Sequence, residues 1–340
     1  MTQTTRQPQP APAPVTRQPP AGGRPSWRGL WDSAGMLLLF LLLFAGASVF
    51  VPNFFTWNNM TGLALSVTTV GIISCTMLFC LAAGDFDLSV GSILAMSGVV
   101  AVVVVNQTGS VPLGIAAGTA AGGIVGLVNG YVIAGLGFNA LIATLATMQI
   151  VRGLAFKVSH GSAVGCANVG FYTLGNSSLL GLPTPVWTMF ACFVLFGLLL
   201  HKTTFGRNTL AIGGNREAAR LAGIAITGTK IVIFTLQGLM AGFAGVIEAS
   251  QMTSGQPNTG MGLELRVISA CVLGGVSLTG GVGTILAVIV GALIMGTVQN
   301  VMDLENVPTF SQYISSGSIL LLALLIDRLK QGGAGRSRIA

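Results

Sequence analysis

Residues 185–248 read PVWTMFACFVLFGLLL (185–200), His201, KTTFGRNTLAIGGNREAARLAGIAITGTK (202–230) and IVIFTLQGLMAGFAGVIE (231–248). Two apolar segments of membrane length enclose a polar, basic centre. A bilayer-spanning helix needs about 20 mostly apolar residues, fewer inside a bundle, so the flanks predict spans and the centre predicts a loop held in water. Within that loop Glu217-Ala218-Ala219 is followed four residues later by Gly223. The stretch is too ordered in composition to be a linker, and it reads as a docking surface for a soluble partner.

The rest of the chain has the character of the flanks. In 340 residues it is 52% hydrophobic, 7% charged and holds 48 glycines; a soluble globule carries several times that share of charge. The fold class expected is therefore an all-α polytopic membrane protein. About ten spans are predicted, some broken or re-entrant, at 34–51, 62–83, 88–105, 111–133, 139–156, 185–200, 231–248, 264–279, 284–302 and 311–326. The eighth, interrupted by Gly274 and Gly275, is the weakest. Lysine and arginine near span ends stay cytoplasmic. With the N-terminus inside, thirteen of the sixteen basic residues fall on one side, all but Arg152, Lys157 and Arg266. Both termini and the central loop are then cytoplasmic. The net charge of +7 is a signature of topology and not of a nucleic-acid partner. Trp27, Trp31, Trp57 and Trp187 fall at span ends, the interfacial belt.

Residues 1–30 are expected to form a disordered cytoplasmic tail, since the Pro-, Gln- and Thr-rich stretch has too little apolar surface to order itself and no h-region of a signal peptide. Residues 31–328 form the transmembrane domain, with the cytoplasmic loop at 201–230, and 329–340 a basic cytoplasmic tail. Five cysteines, four of them in apolar spans, offer neither a disulfide framework nor metal-ligand spacing. There is no phosphate-cradling loop ending in Gly-Lys-Ser/Thr, and His160 and His201 lie on opposite sides of the membrane. An enzyme is not expected, and no cofactor, metal or catalytic residue is called for.

Carboxylates are scarce in such a chain, so Gly84-Asp85-Phe86-Asp87-Leu88-Ser89 stands out amid the uncharged residues from Met60 to Val105. The residues fit a tight turn, with Gly84 as a helix C-cap and Asp87 or Ser89 as an N-cap. They equally fit a hydrophilic pathway, because intramembrane acids are costly unless they face water or a partner. The segment from Cys80 to Ala95 is echoed, with one gap, from Cys271 to Ala287. Paired glycine-broken segments in two halves point to a transport pathway, for which the candidates are Asp85, Asp87, Ser89, Gly274, Gly275, Ser277, Gly280 and Gly281. Gly114, Gly118, Gly122, Gly126 and Gly130 clear a packing stripe down one helix, used within the chain or across a dimer. Glu248, Glu264 and Arg266 cluster at outer span ends, as an ion pair or a rim facing a partner.

GDFDLSVGS, NALIATLATMQIVRGLAF, FGRNTLAIGGNREAARLAG and SACVLGGVSLTGGVGT resemble the permease subunits of bacterial monosaccharide ABC importers, over about residues 30–330. MLFCLAAGDFDLS and MTSGQPNTGMGLELRVISACVLGG are most similar to the members that carry L-arabinose. The resemblance implies a multi-pass protein of the bacterial inner membrane that moves a monosaccharide by alternating access. It implies as partners an ABC ATP-binding subunit, a periplasmic sugar-binding protein, a second copy of the chain and membrane lipid. Glu217, Ala218, Ala219 and Gly223 match the family's ATPase-docking motif, and Gly213, Gly214 and Asn215 precede it. The rival readings are an ion-coupled secondary sugar transporter, for which few acids lie deep in spans, and a membrane scaffold.

Overall fold

A computed structural model describes residues 27–336; the outer parts of the two expected tails, 1–26 and 337–340, lie outside them. The helices are α1 (Trp27–Phe50), α2 (Trp57–Ala82), α3 (Val90–Thr108), α4 (Val111–Gly130), α5 (Ala140–Val158), α6 (Val169–Asn176) and α7 (Thr184–Lys202). They continue with α8 (Thr204–Gly214), α9 (Arg216–Leu221), α10 (Ile226–Gln251), α11 (Leu263–Gly274), α12 (Ile285–Leu304) and α13 (Thr309–Arg336). Four two-residue strands pair antiparallel: β1 (Val164–Gly165) with β4 (Ser254–Gly255), and β2 (Ser178–Leu179) with β3 (Leu182–Pro183).

Seven of these helices are long and apolar enough to cross a membrane: α2, α3, α4 with the π turn Tyr131–Gly135 that continues it, α5, α7, α10 and α12. The protein is thus all-α and polytopic, and the count differs from the ten of the sequence reading. Each of the ten predicted segments falls on a helix, but α11 has only twelve residues, about 18 Å, against a hydrocarbon core of about 30 Å. Its shortness has a local cause at each end. Gly275, at φ 107, stops the helix. Before it, residues 254–262 run back along α3, with Gly255 against Val99 and Gly260 against Gly91. Arg152 of α5 fastens that stretch, its Nη1 donating to Pro257 O and Thr259 O, both at 2.7 Å.

Lipid tails are as apolar as leucine, so helices in a membrane associate by close packing and hydrogen bonds more than by water exclusion. The stripe on α4 is used this way within the chain. A Cβ on Gly122 would strike the α10 backbone at Gly238 and Gly242, one on Gly126 at Phe234 and Gly238, one on Gly130 would meet Ile231, and one on Gly118 would meet Ser97 and Val246. On the far side of α10, Gly245 abuts the backbone of Leu94 in α3. The three helices therefore touch backbone to backbone. Elsewhere large apolar side chains such as Leu42, Ile124, Ile142 and Val194 stand exposed.

Candidate functional site

Three stretches remote in sequence meet at one end of the bundle: the end of α8, the loop after α2 and the turn after α11. The two turns are made alike. α2 ends as Gly84 N donates to Leu81 O (2.9 Å) and Asp85 N to Cys80 O (3.0 Å), with Gly84 at φ 79. α11 ends as Gly275 N donates to Val272 O (2.9 Å) and Val276 N to Cys271 O (3.0 Å). This pair of reversed bonds satisfies the last carbonyls of a helix and asks for a left-handed residue, which glycine supplies without a Cβ penalty. The two segments that echo each other in sequence thus close their helices identically, from Cys80 and Cys271.

They also touch. Gly281 N donates to Ala82 O at 2.9 Å, and a Cβ on Gly84 would lie 3.9 Å from Thr279 O. Into this contact projects the last turn of α8, where a Cβ on Gly213 would collide with Ala82 O and with Gly281 N. A Cβ on Gly280 would in turn lie 2.9 Å from the Gly213 Cα. Gly213 thus faces the membrane domain and not solvent, whereas Gly214 is exposed. Gly274 is held against Ala287 of α12, and Ser277 ties the turn through Val282 O (3.1 Å, from its N–H) and a 2.9 Å hydroxyl contact with Thr279.

The acids are occupied. Asp85 Oδ2 lies 2.7 Å from Lys230 Nζ in an almost buried ion pair. Lys230 is not a loop residue as its polar neighbourhood suggests; it sits in the second turn of α10, buried. Asp87 is fully buried, and its Oδ1 accepts from Ser89 N (2.9 Å) and Ser89 Oγ (2.5 Å). Burial pushes its carboxyl above the usual carboxylate range while the two bonds from Ser89 pull it down. Asn129 Nδ2 of α4 donates to Ser89 Oγ (3.0 Å), and its Oδ1 accepts from Thr147 Oγ1 of α5 (2.7 Å). Lys230, Asn129 and Thr147 were not singled out in the sequence. The signal for Lys230 was there, since a near-buried acid needs a cation and Lys230 opens the next basic-flanked span; nothing local marks Asn129 or Thr147.

Beyond Gly214 the chain turns outward. Asn215 caps α9, its Oδ1 accepting from Ala218 N (3.0 Å), and Ala219 alone of α9 is buried. Glu217 and Arg220 form an exposed two-bond pair, 3.1 Å from Arg220 Nε and 2.5 Å from Nη2. Gly223, at φ 80, closes α9 as Gly84 closes α2: Gly223 N donates to Arg220 O (3.0 Å) and Ile224 N to Ala219 O (3.1 Å). A Cβ on Gly223 would meet nothing within 4 Å. Leu221 is 77% exposed, an apolar side chain offered to water on a charged helix.

A family model described as the permease component of a branched-chain amino acid transport system matches residues 59–326. The chain is 58% identical over 306 residues to the L-arabinose transport system permease protein of Escherichia coli (strain K12), covering 90% of this chain and 93% of that one. It is 54% identical to the L-arabinose ABC transporter permease protein of Azospirillum brasilense, over 97% and 98% of the two chains. It is 39% identical to the ribose import permease protein of Escherichia coli (strain K12), over 87% and 93%. No solved structure matches. With a broken-helix membrane domain, a helix held out from it and a family match over most of its length, the chain belongs to this family of transport-system permease components.

Proposed function

We propose that the chain is the membrane subunit of an ATP-driven importer and carries L-arabinose across the bacterial inner membrane. The observation that carries the substrate is the higher identity to the two L-arabinose permeases than to the ribose permease. Hydrolysis is left to an ABC ATP-binding subunit. That subunit docks on α9, with Glu217, Ala218, Ala219 and Gly223 as its motif and Asn215 as its cap. Exposure of Leu221 and the open space where a Gly223 Cβ would stand support a surface completed by a partner.

Gly213 and Gly214 act one step inward. Movement of α9 passes through the end of α8 to the two turns, Gly84 to Ser89 and Gly274 to Gly281, because Gly213 leaves no slack between them. The same movement reaches α10, whose second turn is tied to the first loop by Lys230 and Asp85. In this reading the turns are the cytoplasmic end of the pathway, here closed, with Asp85, Asp87 and Ser89 holding the gate in its packed form. A second copy of the chain, a periplasmic sugar-binding protein and lipid complete the assembly. α1, α13 and α11 taken together with the 254–262 stretch before it would bring the crossings to ten, leaving both termini and the 201–230 loop cytoplasmic around a permease domain at 31–328.

The test is import into vesicles that hold the permease, its ATPase and the binding protein. L-arabinose uptake that needs ATP and exceeds ribose uptake is expected; equal uptake without ATP, driven by an ion gradient, would overturn the reading.

A further inference from the structure

Away from the Gly213 junction, α11, α12 and α13 enclose a cavity of about 290 Å³ that none of the assigned residues touches. Its size is near the low end of small-molecule sites, about 300 Å³, and its walls are unlike the lipid-facing surfaces around it. Gln299 of α12, Gln312, Tyr313 and Ser316 of α13, and Arg266 and Ser269 of α11 line it. Polar side chains at this density inside a membrane domain are costly unless they face a polar guest or one another.

Two of them are prearranged. Gln299 Nε2 donates to Gln312 Oε1 (2.5 Å), and Gln312 Nε2 donates to Asp303 Oδ1 (3.0 Å) and Val307 O (2.9 Å). Asp303 and Val307 thus set the orientation of both amides, although neither lines the cavity. Arg266 supplies further donors, Ser316 and Tyr313 supply hydroxyls that both give and accept, and the Tyr313 ring offers an apolar face. Amides and hydroxyls outnumber the single cation, which suits a neutral ligand carrying many hydroxyl groups. The location suits entry of substrate. Gln299 lies fourteen residues along α12 from Ile285, about 21 Å from the turn that meets Gly213, hence at the end of the molecule opposite α8 and α9.

We propose that this cavity is a monosaccharide subsite on the entry side of the transport route, where sugar is held by Gln299, Gln312, Ser316 and Arg266 before the α11 turn opens. The proposal rests on the sugar-import reading and names its entry site. The probe is Ser316→Cys in the full reconstituted complex, labelled with a water-soluble maleimide in the presence of L-arabinose, ribose or galacturonate; Tyr313→Cys on the same helix carries the measurement if the first variant fails to assemble. At ten times its Kd the bound sugar should slow labelling about tenfold, and Gln312→Ala should remove the protection. Wild-type L-arabinose import with no protection at either cysteine would overturn the subsite, as would protection by the sugar acid alone. Protection by ribose and not L-arabinose, with ribose imported in preference, would leave the subsite standing and remove the L-arabinose assignment instead.

Discussion

Gly213 and Gly223 stand ten residues apart in the connection between α7 and α10 and are glycine for opposite reasons. Gly213 has ordinary room for its own backbone but none for a side chain, because Ala82, Gly280 and Gly281 close on it. Gly223 has open space where a Cβ would stand, yet its φ of 80 excludes most other residues. The first is an inward contact already made, the second the exposed end of a short helix. The loop is therefore a two-faced part, welded to the membrane domain at one end and free at the other, and substitutions at the two ends should fail differently.

The largest effect is expected at Lys230, seven residues past Gly223, where α10 is tied to the loop after α2. Lys230→Met strands Asp85 in near burial, and loss of one partner of a buried pair costs about 3–5 kcal/mol; the purified permease should melt earlier and transport little. The double variant Lys230→Met with Asp85→Asn should recover much of the melting temperature, and a double variant no more stable than Lys230→Met would break the assignment of the pair. Gly213→Val comes next, since overpacking costs about 1–3 kcal/mol. It should lower both thermal stability and sugar import; normal values for both would remove the junction from the mechanism.

At the free end the signature should invert. Gly223→Val meets a strain of about 1–2 kcal/mol from a left-handed backbone, while Gly223→Asn, which tolerates that conformation, meets less. Both should insert at normal levels, and the valine variant should lose sugar-stimulated ATP hydrolysis in the assembled complex. Full stimulation in Gly223→Val would detach the docking role from α9. The smallest stability change belongs to Glu217→Gln, because an exposed pair is worth about 0–1 kcal/mol. Its melting should be unchanged, and any loss of ATPase stimulation then reports the partner and not the fold.

The free end was legible in the sequence and the welded end was not. Glu217, Ala218, Ala219 and Gly223 form a local pattern that reads as a short helix around Asn215 to Gly223, and the structure has one at Arg216–Leu221 closed by a glycine. Helix positions were legible for the same reason, since hydropathy is also local, though it could not tell the twelve residues of α11 from a full crossing. Gly213 reads as part of the docking motif because it is next to it. Its true neighbours, Ala82 and Gly281, lie 131 and 68 residues away, and only the fold brings them together. Lys230 reads as a loop residue because its N-terminal neighbours are polar, whereas the need that places it in the bundle arises at Asp85. The echo between the segments at Cys80 and Cys271 was the one long-range relation visible beforehand, and it was visible because both turns solve the same capping problem.

The glycine seam joining α3, α4 and α10 has a mechanical consequence. Side chains between helices act as springs, storing and dissipating small displacements as rotamers shift, and here the seam has removed them at contact after contact. Such a trio behaves as a stiff lever. A push delivered at Lys230 should arrive undiminished at Glu248, eighteen residues and about 27 Å along α10, so that what happens on one face of the membrane is felt on the other within a single stroke.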